Sequence, residues 1–320
     1  MIDAAAAGSI QHPHCEYHEV ANHGLERGLV RIAAYNIERG RRLDAIVAQW
    51  QTPRPRDSDV ILLSEADVGM ARSGNRHVTR EFAAAIGYSW VFASEFHELT
   101  KGGRGERRLP GRNTQALHGN AILSRYPLQD IEVVQLPAFF DYRLQYMARN
   151  GNRIAVVADI CTPARLITVA STHLEAQSSA SERCAQLLAL ADALTRRDRG
   201  QPIVIGGDMN TTCLDAHRLG RALLRRPWIV AGHPTMSTLQ RHEPLFGEIS
   251  ARGYDVESAN ANGYTFRDRG YRARLDWLFV KNVAPAGIVD ATIHREFDDR
   301  RRYSDHLPIS VALSPNVPID

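Results

Sequence analysis

The sequence is poor in cysteine, in lysine and in long apolar runs. Only four cysteines occur in 320 residues, and Cys15, Cys161, Cys184 and Cys213 show no close pairing. A disulfide framework is therefore excluded as the organising principle, and free thiols in a reducing cytoplasm are expected. No stretch approaches the ~20 consecutive apolar residues that a membrane helix needs. The alanine run at residues 4–7 has no basic flank and no long apolar core, so it does not read as a signal peptide. Aromatic residues make up 7% of the chain and the formal net charge is only +3. Neither a stacking stripe nor bulk charge therefore argues for nucleic acid. Every basic residue except Lys101 and Lys281 is arginine. The arginines are spread along the whole chain, which favours compositional bias over one phosphate-binding patch.

What is present is an ordinary globular composition, 44% hydrophobic and 23% charged, with no Gly/Ser linker and no internal repeat. Residues 1–24 carry His12, His14, Cys15 and His18 in a spacing that fits no closed tetrahedral metal site. They are expected to form a loosely ordered lead-in, and residues 25–320 a single catalytic domain. Short apolar runs predict strands at 60–64, 88–93, 120–124, 132–136, 153–160, 166–171, 203–205, 275–280 and 309–313. Helical periodicity predicts helices at 43–50, 79–86, 181–197 and 215–224. Residues 227–264 are mixed in pattern. Successive strands with short turns argue for antiparallel pairing, and hence for one α/β domain whose helices cover a largely antiparallel sheet system. The stretch 99–117, rich in Gly, Pro and charge, reads as a long loop of the kind that is usually functional or disordered.

Six polar clusters abut these apolar runs. Asn36, Glu65, His173 and the pair Asp208 and Asn210 follow their strands, whereas Asp276 and the pair Asp305 and His306 precede theirs. In a sheet with antiparallel neighbours, strand ends and strand starts share an edge, so the clusters are expected to converge. Glu65, Asp208 and Asp305 offer carboxylates and Asn36 and Asn210 offer amide oxygens, a hard donor set suited to Mg2+ or Mn2+ rather than zinc. Asp276, His306 and His173 add groups able to stabilise phosphate charge or move a proton. Taken together they describe metal-assisted hydrolysis of a phosphate ester.

The segments Tyr35-Asn36-Ile37, Leu63-Ser64-Glu65, Gly119-Asn120-Ala121-Ile122-Leu123-Ser124, Thr172-His173-Leu174-Glu175, Gly207-Asp208-Met209-Asn210, Leu275-Asp276-Trp277 and Ser304-Asp305-His306 resemble, in order, the motifs of the endonuclease/exonuclease/phosphatase superfamily. This is the fold of deoxyribonuclease I, exonuclease III and the sphingomyelinases. The resemblance implies a four-layer α/β/β/α sandwich of two packed mixed, largely antiparallel sheets with outer helices. It implies metal binding by Glu65 with Asn36 and Asp305, and water handling by Asp208 with Asn210. His306, paired with Asp276, would contact the scissile phosphate, and His173 would contact it or act as general acid. His173 resembles the deoxyribonuclease I, sphingomyelinase and tyrosyl-DNA phosphodiesterase side of the superfamily. Arg274-Leu275-Asp276-Trp277 departs from the Trp-Cys-Asp-Arg usual in inositol polyphosphate 5-phosphatases, and Ser64 stands where a Gln is usual.

Substrate contacts are expected from Asn120, from Arg72 in the Arg72–Arg76 stretch, from His118, and from loop arginines including Arg108 and Arg112. The expected activity is a nuclease or related phosphodiesterase on a phosphodiester substrate, nucleic acid being one candidate. The alternative is a phosphatase or sphingomyelinase-like hydrolase, for which Phe139 and Phe140 are the one apolar pair that could meet a lipid. No protein partner is evident. A catalytically silent relative would have lost one of Glu65, Asp208, Asn210, Asp276 or His306, and all five are present.

Overall fold

Runs rich in Val, Ile and Leu become strands because branched side chains fill a sheet that is buried on both faces. The computed structural model describes residues 13–20, 28–52, 57–212, 241–268 and 271–314. Its strands, in chain order, are β1 (Cys15–His18), β2 (Val30–Asn36), β3 (Val60–Val68), β4 (Ser89–Glu98), β5 (Leu117–Ser124), β6 (Leu128–Gln135), β7 (Arg149–Gly151) and β8 (Ile154–Cys161). They continue with β9 (Leu166–His173), β10 (Ile203–Asp208), β11 (Phe266–Asp268), β12 (Tyr271–Ala273), β13 (Asp276–Lys281), β14 (Ile288–Ile293) and β15 (Ile309–Leu313). The first sheet has the order β1-β4-β5-β3-β2-β15-β14, with β7 also paired to β4, and the second the order β13-β10-β9-β8-β6. Strands β11 and β12 form a separate two-stranded ribbon. Both sheets are mixed: β2–β3 and β9–β10 are parallel, and their other pairs are antiparallel.

Helices close the sandwich on both sides. Helices α1 (Leu43–Trp50) and α2 (Val78–Ile86) pack Leu43, Ile46, Trp50, Phe82 and Ala83 against the first sheet. Trp50 meets Phe82 edge-on at 5.5 Å and lies 6.0 Å from Tyr35 of β2. Truncating a buried tryptophan of this kind costs about 3–5 kcal/mol. Helices α3 (Ala180–Thr195) and α4 (Leu245–Ala251) lay Leu187, Leu190, Leu194, Phe246 and Ile249 on Ala155, Val157, Ala170, Ile203 and Ile205 of the second sheet. Ser179 and Glu182 form a capping box that starts α3. The result is a four-layer α/β/β/α sandwich. The sheets meet closely at Gly206, where a Cβ would lie 2.7 Å from Leu62 Cδ1 and 2.8 Å from Leu278 Cδ2.

The strand directions gather the polar clusters. The ends of β2 and β3 lie beside the starts of β5 and β15. In the second sheet Asp208, at the end of β10, is in register with His173 of β9 and with Asp276 at the start of β13.

Two differences from the sequence reading have physical causes. Cys15–His18 lies in the expected loose lead-in, yet it forms edge strand β1 against Trp90–Ala93. Its residues are mostly exposed and held by backbone pairing, so no apolar alternation announced it. Strand β4 runs on to Glu98, five residues past the expected end at 93, because Glu95 and Glu98 are buried against arginines and not solvated. The helix expected at 215–224 lies outside the described residues, as does Cys213, and 227–264 is described only from 241. Cys15, Cys161 and Cys184 are unpaired.

Candidate active site

Each site residue is fixed by a local backbone feature. Glu65 sits at a register shift of β3 between Leu63 and Ala66 and has φ 58°, a left-handed conformation unusual for a residue with a side chain. Glu38, Arg39 and Gly40, which follow β2, have φ values of 45°, 66° and 65°, so the chain turns left-handed two residues after Asn36. Asn210 has φ 49°. Strain of this kind costs about 1–3 kcal/mol per residue and concentrates at working sites. Gly207 supplies a close approach, since a Cβ there would lie 1.9 Å from Thr172 O.

The side chains converge on Asp208. Asn36 Nδ2 donates to Asp208 Oδ2 at 3.0 Å and to Glu65 Oε1 at 3.2 Å. His173 Nε2 lies 3.5 Å from Asp208 Oδ2 and His306 Nε2 lies 3.6 Å from the same oxygen. The backbone N–H of Asn210 donates to Asp208 Oδ1 at 2.9 Å, and its side-chain amide donates to Leu174 O. His306 Nδ1 bonds Asp276 Oδ2 at 2.8 Å. Ser304 anchors this corner by donating to Asn36 O and accepting from His306 N–H. Thr265 Oγ1 accepts from the N–H groups of Leu275 and Asp276. Phe266 lies over His306 with 4.9 Å between ring centroids.

Charge states differ sharply within this small volume. Burial would raise the Glu65 carboxyl, but the Arg39 guanidinium at 3.8 Å holds it well below the usual range. Burial pushes Asp208 up to about 7, against the attraction of His306. Burial, joined by the nearby Glu38 and Glu65 carboxylates, pushes Asp305 up to about 6. Burial and Arg153 drive His173 well below its ordinary value, so it is neutral. For His306 burial also acts downward, but Asp276 and Asp208 outweigh it and raise it well above, so it is cationic.

Asn36, Glu65, His173, Asp208, Asn210, Asp276, Asp305 and His306 thus share one edge, as their order in the sequence suggests. The orientation of Asn36 differs from the oxygen-ligand expectation. Its Oδ1 accepts from Glu38 N–H at 3.1 Å and its Nδ2 faces two carboxylates, so it bridges Glu65 and Asp208 as a donor. Asp208, Asp276 and His306 each place a ligand atom within 4.8 Å of the others. The 2.8 Å His306–Asp276 hydrogen bond uses His306 Nδ1 and Asp276 Oδ2 and leaves Asp276 Oδ1 buried without a hydrogen-bond partner.

Residues expected to touch substrate divide into two groups. Arg72 is buried and holds Asp67 through two 2.8 Å hydrogen bonds and Glu98 through one of 3.2 Å, so its guanidinium faces inward and not toward a ligand. Asp67 also accepts from His118 Nδ1 at 2.8 Å, which fixes that imidazole beside Glu65. Asn120 is fully buried and donates to Glu95 Oε1 and Ile154 O. Arg108 and Arg112 are exposed, and their guanidinium groups bond to none of the clustered residues. Arg39 was missed by sequence reasoning, although it touches Glu65 and pairs with Glu106 at 2.7 Å. An arginine three residues after Asn36 looks like any surface charge, and only the left-handed turn aims it inward. Arg153, which joins Glu95 and Glu175 behind His173, was missed for the same reason.

Comparison with known proteins agrees with this fold. The chain superposes on an AP endonuclease from Archaeoglobus fulgidus with a TM-score of 0.56, at 18% identity over 90% of this chain and 100% of that one. It superposes on a 3'-5' exonuclease, NExo, from Neisseria meningitidis with a TM-score of 0.55, at 17% identity over 89% and 100%. For TDP2 from Caenorhabditis elegans the TM-score is 0.51, at 16% identity over 89% and 74%. At these identities the likeness establishes the fold. No curated protein sequence matches the chain significantly. The sequence model of the endonuclease/exonuclease/phosphatase family matches residues 33–306, from the middle of β2 through His306, and the chain belongs to that family.

Proposed function

We propose that the chain is a divalent-metal-dependent phosphodiesterase, nuclease-like in action, that cleaves its substrate with an activated water. The observation that carries this reading is the buried Asp276–His306–Asp208 series set beside the Glu65 and Asp305 carboxylates. Phosphodiester hydrolysis requires charge neutralisation, deprotonation of water and stabilisation of the departing oxygen.

Glu65 and Asp305 would hold Mg2+ or Mn2+. Their fit rests on donor chemistry: both are hard carboxylates, and burial, with the Glu38 and Glu65 charges added, raises Asp305, a penalty a hard cation would relieve. When bound, the ion would polarise a phosphate oxygen. Asp208, at about 7, is matched to accept a proton from water near neutral pH. The Asn210 N–H fixes the carboxylate for that transfer. His306, cationic through Asp276, faces the developing charge on the phosphoryl group as the P–O bond to the leaving oxygen opens. His173, held neutral, contributes a hydrogen-bonding contact and not an acidic proton. His118 is a further imidazole at this edge, oriented by Asp67.

The test is hydrolysis of bis(p-nitrophenyl) phosphate beside p-nitrophenyl phosphate, with magnesium, manganese or EDTA. Diester turnover that requires metal is expected. Preference for the monoester would replace the reading by a phosphatase.

A further inference from the structure

The arginines of the 99–117 loop are not alike. Lys101 is tied to Leu109 O and Gly111 O, and its charge is internal to the loop. Arg107 lies over the ring of Tyr146 at 4.2 Å and also donates to Tyr146 O, while Arg104 lies 5.9 Å from the same ring. Neither guanidinium meets a carboxylate among the described residues. Tyr146 is 51% exposed. Arg107 Nε also donates to Gly102 O at 3.2 Å, so the backbone and the ring fix the guanidinium and its Nη1 hydrogens remain to meet a phosphate with little further loss of freedom.

The same device recurs elsewhere. Tyr264 carries Arg295 at 4.1 Å and Arg272 at 4.5 Å over its ring. Topology places the two pairs on opposite sides of the site. Tyr146 precedes β7, whose Arg149 pairs with Glu98 at the site end of β4. Arg107 is next to Glu106, which bonds Arg39, and Arg39 touches Glu65. Arg295 follows the site end of β14, and Tyr264 precedes Phe266, which bridges to His306. Between β4 and β14 lie five strand spacings of about 4.8 Å, on the order of 24 Å. A small diester does not span that distance.

Resting on the phosphodiesterase reading above, we infer that the substrate is a nucleic-acid strand laid across this edge, its phosphates gripped by Arg107 with Arg104 on one side and by Arg295 with Arg272 on the other. The half-exposed ring of Tyr146 adds a surface on which a base stacks. The grip sorts polymers from small diesters without touching the reacting atoms.

The experiment uses the full chain, a fluorescein-labelled single-stranded DNA oligonucleotide, and bis(p-nitrophenyl) phosphate as reference substrate. Affinity is read by anisotropy against salt, and kcat/KM for both substrates is read for wild type, Arg107→Ala, Tyr146→Ala, Arg295→Ala and Arg196→Ala. Arg196, an exposed residue at the far end of α3, controls for lost charge. Each arginine removed from a phosphate contact should flatten the slope of log affinity against log salt by about 0.7. Tyr146→Ala should lower the ratio of oligonucleotide to small-diester kcat/KM by about tenfold to a hundredfold, the usual scale for one stacked base. Arg196→Ala should do neither. Small-diester turnover with no oligonucleotide affinity, or with affinity indifferent to Arg107, Tyr146 and Arg295, would overturn the inference while leaving the phosphodiesterase intact. Binding to phosphatidylcholine–sphingomyelin vesicles in place of the oligonucleotide would also overturn it, and would assign the exposed Leu144 beside Tyr146 to a lipid surface. Absence of small-diester turnover would instead count against the phosphodiesterase reading. Unchanged circular dichroism across the variants guards against misfolding.

Discussion

Replacing Asp276 by Asn isolates one charge. Asn has the shape of Asp, and its Oδ1 can still accept from His306 Nδ1, so the 2.8 Å contact survives while the carboxylate's charge is lost. Both partners are buried, Asp276 wholly and His306 at 4% exposure. Leaving one member of a buried ion pair uncompensated costs about 3–5 kcal/mol of stability. The imidazole also loses the strongest of the attractions that raise it, so it reverts toward neutrality in the mutant. If the imidazolium stabilises the transition state, kcat for bis(p-nitrophenyl) phosphate should fall by about 10²–10⁴ near neutral pH. The sign of the pH effect follows. In the wild type His306 is charged well above its ordinary value, so its contribution persists through neutral and moderately alkaline pH. In Asp276→Asn it should be lost as pH rises above about 6.5, and part of the activity should return in acid. The assay is kcat against pH for both proteins at saturating metal, with a melting curve to confirm folding. A mutant whose profile keeps the wild-type shape, merely scaled down, would refute the assignment of a charged His306.

Asp208→Asn should lower kcat by about 10²–10⁴ with little change in KM, because the group that takes the proton from water is gone; near-full activity in a steady-state assay would remove it from that role. Metal affinity should weaken as pH falls below about 6, by roughly tenfold per unit, because Asp305 is pushed up to about 6 and must be ionised to bind. Magnesium titration calorimetry across that range checks this, and an affinity indifferent to pH would take Asp305 out of the metal set. Arg72→Met should destabilise the fold by about 3–5 kcal/mol, because Asp67 is left buried without its partner. Adding Asp67→Asn should recover part of that loss, whereas an unchanged melting temperature with a raised KM would restore Arg72 to the substrate-contact role expected from sequence.

Much of this site could be read in advance because its residues are attached to strands. An apolar run fixes a strand, the strand fixes an edge, and Asn36, Glu65, His173, Asp208, Asp276 and His306 stand at the ends of six such runs. What could not be read is how each side chain is aimed. Glu65 turns on a left-handed residue within β3, and no apolar pattern records a bulge. Asn36 carries both a donor and an acceptor, and only its neighbours decide that the donor faces the carboxylates. Arg72 and Arg153 belong to ion pairs with partners 5 to 58 residues away in sequence, so their charges look solvated until the sheets are assembled. Edge strand β1 was hidden for the opposite reason: its backbone does the pairing and its side chains are mostly exposed.

The two imidazoles around Asp208 show why those hidden partners matter most. His173 and His306 present Nε2 at 3.5 and 3.6 Å to the same carboxylate oxygen, and both are buried. Distance to Asp208 therefore cannot distinguish them, and burial alone would make both neutral. The difference lies behind each ring. His173 backs onto Arg153, which is pinned between Glu95 and Glu175, and a fixed cation there opposes a second one on the imidazole. His306 backs onto Asp276, which favours the charge. Arg39 acts likewise on Glu65, keeping that carboxylate ionised where burial would protonate it. The strand ends thus deliver a symmetrical set of acids and imidazoles. Arg39 just after β2, Arg153 just before β8 and Asp276 at the start of β13, one layer further out, divide that set into an ionised ligand, a proton acceptor, a neutral donor and a cation.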